Sequence, residues 1–325
     1  MRHFNLLINT RWLATVILLL TFCIGQMRAA VPTLSDLDFG DPDFTEDFES
    51  VEGTPSKSNS STAWTSTTLT GYGEFTHAYL GKNNNGTQSI AVKAASSPMT
   101  SKYFELVATS NLAGVSFSRT FGTKGAFSFK IAKSSITSVG LYAAVANSSF
   151  AHASASVYVK SNNGTIQMSS GSSWTTVSSS LPSTDVLDIT VIYNNTNSNT
   201  TYGDGISLNS KRAHVYINGN AVPNAGNTAP KDFTIPGATL TAFRIHYNAS
   251  GTGKVDDIKI YDNLPVAAAV DCEATPTVGA ASLNGSFFWT PNFCPLVPDK
   301  YRSKAIFSYL HYVKDRLSDF SDQVL

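Results

Sequence analysis

Charge is scarce in this sequence. Only 14% of its 325 residues are Asp, Glu, Lys or Arg, and the 23 basic and 23 acidic side chains cancel. A neutral chain lacks the basic excess that nucleic-acid or anionic-membrane binding draws on, so neither partner is expected. Cysteine is nearly absent as well. Cys23 lies in an N-terminal apolar run, and the Thr21-Phe22 before it lacks the small residues of a lipoprotein signal. Cys272 and Cys294 remain. One bridge does not make a disulfide scaffold, so the region between must hold itself together by its core. Helical periodicity is missing from Phe44 to Asp262. Catalytic signatures are missing too: no G-x-S-x-G elbow, no H-E-x-x-H helix, no P-loop and no dinucleotide fingerprint. His77, His152, His214 and His246 are scattered without ligand spacing. No reaction follows from these residues, and a non-catalytic protein is expected.

Ser, Thr, Asn and Gly fill the polar positions, which suits turns and exposed strand faces. The stretch Thr241–Asp262, TAFRIHYNASGTGKVDDIKIYD, reads as two strands joined by a Gly-rich turn. Phe243, Ile245 and Tyr247 alternate with Arg244 and His246, the period of a half-buried strand. Further on, Asp256 falls in phase with Ile258 and Ile260, which places its carboxylate on the core side. There it would require a metal or a hydrogen-bonding loop. Strands are also expected at 44–51, 71–80, 88–94, 115–121, 126–132, 139–146, 154–160, 165–169, 174–178 and 186–193. Asn218-Gly219 within AHVYINGNAV is a type I′ hairpin turn. Many short strands with regular turns indicate an all-β antiparallel sandwich.

Residues 1–30 have the pattern of a secretory signal: Arg2 and Arg11, the apolar run Trp12–Gly25, then Ala29 and Ala30. No transmembrane span is expected after cleavage, and the protein is expected to be secreted or at the cell surface. Residues 31–43 form an acidic, turn-rich leader, expected to be solvated. The sandwich occupies 44–263. Residues 264–300 read as a linker with the opening of a second β-domain that does not continue. In 301–325 the apolar residues Ile306, Leu310, Val313, Leu317, Phe320 and Val324 mark a short amphipathic helix. A longer reading frame interrupted near Phe287 would produce the same abrupt change, and sequencing the locus tests it.

Phe48-Glu49 in a first strand, with Val255-Asp256-Asp257-Ile258 in a last one, resembles the ends of carbohydrate-binding jelly rolls and concanavalin A-like sandwiches of secreted Bacteroidetes-type proteins. The hairpin HVYINGNAV is similar to that of laminin-G-like sandwiches. The resemblance spans about Asp43 to Asp262 and implies a jelly-roll-like fold that handles glycans. It also implies a structural calcium tying the first strand to the last. Carried onto this chain, its ligands would be Glu49 and Asp256 or Asp257, with Asp47 as an extra.

A glycan site uses aromatic faces together with amides and carboxylates. Trp64, Tyr72, Tyr79, Trp174 and Tyr202 stand in loop-like or edge contexts, and Trp64 and Trp174 lead because each sits among Ser and Thr. Glu46, Asp47 and Glu49 offer carboxylates but no E-x-D-x-x-E pattern, and paired catalytic acids are not recognised. The leading expectation is a non-catalytic glycan-binding module. Its rivals are a structural or adhesive domain without a sugar site and an accessory part of a glycan-processing enzyme. N-x-S/T sequons at Asn59, Asn85, Asn147, Asn163, Asn194, Asn199, Asn248 and Asn284 matter only in a eukaryotic secretory route.

Overall fold

The computed structural model describes residues 31–59, 65–81, 87–109, 112–136, 141–146, 156–169, 173–178, 180–237, 239–248 and 250–269. The signal segment, Trp64, both later cysteines and the 301–325 helix lie outside the described residues. Within them the protein is all-β, a jelly-roll-like sandwich of antiparallel sheets. No helix among them is long and apolar enough to cross a membrane.

One sheet has eight strands. In spatial order they are Trp174–Ser178, Thr165–Ser169, Ser156–Asn162, Leu141–Ala146, Ala242–Asn248, Leu112–Ser118, His77–Leu80 and Thr65–Thr68. The other has ten strands. Its main path runs Asn220–Ala221, Arg212–Ile217, Val186–Asn194, Lys124–Ala132, Gly251–Tyr261, Tyr103–Ala108, Gln88–Lys93 and Ser56–Asn59. Phe233–Thr234 and Phe44–Glu46 attach to its side. The sheets share one core. Phe127 of the ten-stranded sheet meets Phe243 of the eight-stranded sheet edge to face at 5.9 Å. Phe44 stacks on Phe117 at 4.3 Å. Each buried ring of this kind contributes about 1.5–3 kcal/mol.

The expected hairpin is present, with Asn218 at φ 49° and Gly219 at φ 80°. The acidic leader is not free. Leu37–Asp38 pairs with Val266–Ala267, and the Leu34 N–H donates to the Gly219 carbonyl at 2.7 Å. Leu37 buries its side chain against the outer side of the ten-stranded sheet, which explains the attachment.

Gly251–Tyr261 departs from simple alternation. Asp256 lies opposite Lys130 and Lys259 opposite Ser128, so one strand spends an extra residue where its partner does not. Asp257 takes φ +48° in this bulge. Val255, Ile258 and Ile260 all reach the core as a result. Asp256 is thereby turned to the outer side with Lys130, a correction to its expected core-side placement.

The acid on the core side is Glu46. It lies opposite Ile258, and Phe44 lies opposite Ile260, so this first strand pairs directly with the last. The Glu46 side chain is 4% exposed. Its Oε1 accepts the Phe48 N–H at 2.7 Å and its Oε2 the Glu74 N–H at 2.5 Å. Burial raises its pKa, and the two amides pull it back.

Candidate functional site

Alternation on five adjacent strands decides which side chains leave the core of the eight-stranded sheet. Phe243, Ile245 and Tyr247 enter the core, so Arg244 and His246 lie on the outer face. Leu141, Ala143 and Val145 enter the core, leaving Tyr142, Ala144 and Ala146 outside. The same rule places Lys160, Gln167 and Trp174 on that face, since Val159, Met168 and Val177 are core.

Cross-strand pairing then brings them together. Tyr142 lies opposite Lys160 on one side and His246 on the other. Lys160 lies opposite Gln167. The rings of Tyr142 and His246 stack at 4.5 Å with only 9° between their planes. Trp174 meets Tyr142 edge-on at 5.7 Å, and the Lys160 ammonium rests 4.0 Å from the centre of the Trp174 ring. Ala144 and Ala146 pack with the two aromatics, small residues beside large ones. Trp174, Tyr142 and Lys160 are half-buried, whereas Arg244 and His246 are 1% and 4% exposed.

Burial sets the electrostatics of this face. It lowers the Lys160 pKa and brings Arg244 down to about 10. It raises the Tyr142 phenol. None of the eight strands contributes an Asp or Glu; their charged residues are Lys160 and Arg244. The ten-stranded sheet is built differently. There Lys130 and Lys259 both pair with Asp257, at 2.9 and 3.0 Å, and Lys93 pairs with Glu105 at 3.5 Å. Asp257 raises the Lys130 pKa, opposite to the fate of Lys160.

The residues singled out from the sequence divide. Trp174 and Tyr79 lie on this same outer face, Tyr79 because Ala78 and Leu80 are core. Tyr72 is buried in the main core. Tyr202 is buried against the other sheet. Its hydroxyl bonds His214 Nδ1 at 2.7 Å and the Tyr216 hydroxyl at 2.8 Å, while His214 Nε2 meets Asp232 at 2.9 Å. Burial raises both tyrosines, Tyr216 to about 12. These contacts latch the Thr200–Tyr202 and Ile206–Leu208 hairpin to the sheet.

The four proposed calcium ligands are held by protein donors. Asp47 accepts the Glu49 N–H at 3.1 Å, and Glu49 accepts the Lys102 N–H at 2.8 Å. Asp256 accepts the Ser101 hydroxyl and, at 2.7 Å, the Asp257 N–H. Asp257 has its two lysines. Among the described residues, no three His, Cys, Asp or Glu side chains form a metal-binding group. Two ammoniums beside Asp257 also oppose a dication there. As arranged, this donor set does not fit calcium.

Tyr142, Lys160, Arg244, His246 and Gln167 were not singled out as site residues from the sequence. For Tyr142, Lys160 and Gln167 one signal was available: from Leu106 to Thr184 the chain has no Asp or Glu, yet it carries Arg119, Lys124, Lys130, Lys133 and Lys160.

No protein-family model matches the sequence, and no curated protein matches it. Several solved structures are similar in part. A sialidase aligns at 9% identity and TM-score 0.38, over 75% of this chain but only 20% of the sialidase chain. A structure described under endo-acting O-glycanases, which prominent members of the human gut microbiota express to initiate mucin breakdown, aligns at 12% identity and TM-score 0.38, over 69% of this chain and 100% of that one. The exoplasmic/lumenal domain of VIP36, in a form bound to Ca2+ and Man3GlcNAc, aligns at 11% identity and TM-score 0.33, over 51% and 80%. At these scores the likeness assigns no family and no activity to this chain.

Proposed function

We propose that the protein is a secreted or cell-surface module that binds glycans, without catalysis, on the outer face of its eight-stranded sheet. The observation that carries this reading is the grouping of Trp174, Tyr142 and Lys160 beside Gln167. Aromatic rings take the C–H faces of a sugar, while the ammonium and amide serve its hydroxyls. The secreted location rests on the signal-like residues 1–30. The non-catalytic reading rests on the lack of any Asp or Glu in the strands of this face to act as acid, base or nucleophile.

A glycan array followed by calorimetry on the best ligand tests the reading. Trp174→Ala is expected to weaken binding by about tenfold or more, equivalent to about 1.4 kcal/mol. Unchanged affinity in a folded Trp174→Ala variant refutes the site. The rival reading, a structural or adhesive domain, draws on the burial of Arg244 and His246, since a covered face presents less to a ligand. It is favoured if the array retains nothing.

A further inference from the structure

The glycan reading leaves the class of sugar open, and the charge distribution narrows it. We infer that the outer face of the eight-stranded sheet selects acidic glycans, those bearing carboxylate or sulfate groups, with Lys160 as the half-buried cation that receives the anionic group. This inference rests on the proposed function and specifies its ligand.

Three observations converge. The first is the segregation of charge. The whole chain is neutral, with 23 basic and 23 acidic side chains, yet the strands of this sheet contain two cations and no carboxylate. A neutral sugar gains nothing from that asymmetry, whereas an acidic one gains an attraction that no neighbouring strand carboxylate offsets.

The second is the setting of Lys160. Its ammonium lies 4.0 Å from the centre of the Trp174 ring, in a place where burial lowers its pKa. A partly desolvated ammonium regains favourable electrostatics when an anion arrives, and low local dielectric strengthens the contact. A lysine already held by a carboxylate, as Lys130 is by Asp257, has no such gain to make.

The third is spacing. Lys160 and His246 lie on either side of Tyr142, about 10 Å apart across two strand intervals. Arg244 stands two residues from His246 on the same face. In strand order Lys160 lies between the strands that carry Tyr142 and Trp174. A sugar ring placed on Tyr142 and Trp174 brings its acidic substituent to Lys160.

Matched pairs of ligands test this directly: polygalacturonate against its methyl ester, dextran sulfate against dextran, and 3′-sialyllactose against lactose. The expected result is at least one pair in which the acidic member binds about tenfold more tightly at low salt, with the gap narrowing as salt rises. Lys160→Met keeps the apolar stem on Trp174 and should weaken binding of the acidic member more than that of the neutral one, shrinking that gap. Gln167→Glu places a carboxylate opposite Lys160 and should shrink it as well; this variant decides the matter if Lys160→Met does not fold. Equal binding of acidic and neutral members overturns the inference but leaves the glycan reading standing. An undiminished gap in both folded variants also overturns it. Binding of no member overturns the glycan reading and this inference together.

Discussion

Glu46 and Gly73 form a coupled pair whose energetics follow from their geometry. Gly73 has φ +64°, and a Cβ built on it would stand 2.0 Å from Glu46 Oε2. Substituting Ala at 73 therefore adds two costs. A left-handed conformation with a side chain costs about 1–2 kcal/mol. Displacing the Glu46 carboxylate breaks its bonds from the Phe48 and Glu74 amides. Charge-assisted bonds contribute about 1.5–3 kcal/mol each; burial of the carboxylate opposes them, so the lower end, about 3 kcal/mol for the two, is expected. Glu46→Ala should cost about 3 kcal/mol, and Gly73→Ala about 4–5. In the Glu46→Ala background nothing remains to be displaced, and Gly73→Ala should cost only the backbone term of about 1–2. Urea unfolding of the four proteins measures the cycle, with an expected coupling of about 3 kcal/mol. Additivity to within about 0.5 kcal/mol would show that Glu46 does not hold the 73–74 loop.

Acid should first stabilise the protein. Burial raises the pKa of Glu46 from its ordinary 4.5, and those of Asp188 and Asp256 from 3.8. The stability linked to these groups is fully present below those ordinary values and is lost as pH rises through the raised ones. Asp232 and Asp257 act oppositely. The His214 hydrogen bond lowers Asp232; burial pushes Asp257 up, but Lys130 and Lys259 outweigh it, so stability is lost as pH falls below about 3.8. Melting temperature should therefore rise from neutral pH to a maximum near pH 4–5 and then drop, and a monotonic fall from pH 7 would contradict the placement of the buried acids. Chelator dialysis should leave the melting temperature unchanged, since lysines and amides already hold Asp256 and Asp257; a calcium-dependent rise of several degrees would restore the metal. Asn194 is fully buried, and its amide donates to the carbonyls of Ser198, Leu208 and Asn209. Expression through a eukaryotic secretory route should yield folded protein only with the Asn194 sequon unmodified, which peptide mapping of the folded fraction checks.

Much of the sandwich is legible in the sequence, for a reason visible in particular strands. Phe243, Ile245 and Tyr247, or Phe127, Phe129 and Ile131, alternate cleanly because one side meets the shared core. Thr165–Ser169 and Trp174–Ser178 are recovered to the residue. The failures have different causes. Ser56–Asn59 and Thr65–Thr68 are polar strands at the ends of their sheets, without a hydrophobic stripe to announce them. Tyr103–Ala108 is missed because Tyr103 and Val107 put apolar residues on the face opposite Phe104, Leu106 and Ala108, which blurs the alternation in the sequence. The bulge at Asp257 has no local marker, since it uses a non-glycine residue at positive φ and is defined by its partner's register. That single residue moves the acid question from Asp256 to Glu46. Tyr72 and Tyr202 show the limit for sites: both stand among turn residues, yet long-range packing buries them, while Trp174 and Tyr79 share an outer face.

The seating of Phe44–Glu46 against Ile258–Ile260 has a consequence for synthesis. The strand that begins the sandwich finds its neighbour only after more than two hundred further residues have been made. Until Ile258 leaves the ribosome, the Phe44 and Glu46 positions have no ladder to join, and the middle of Gly251–Tyr261 is absent from beside Lys124–Ala132. A chain that closes on its own beginning in this way completes itself only late.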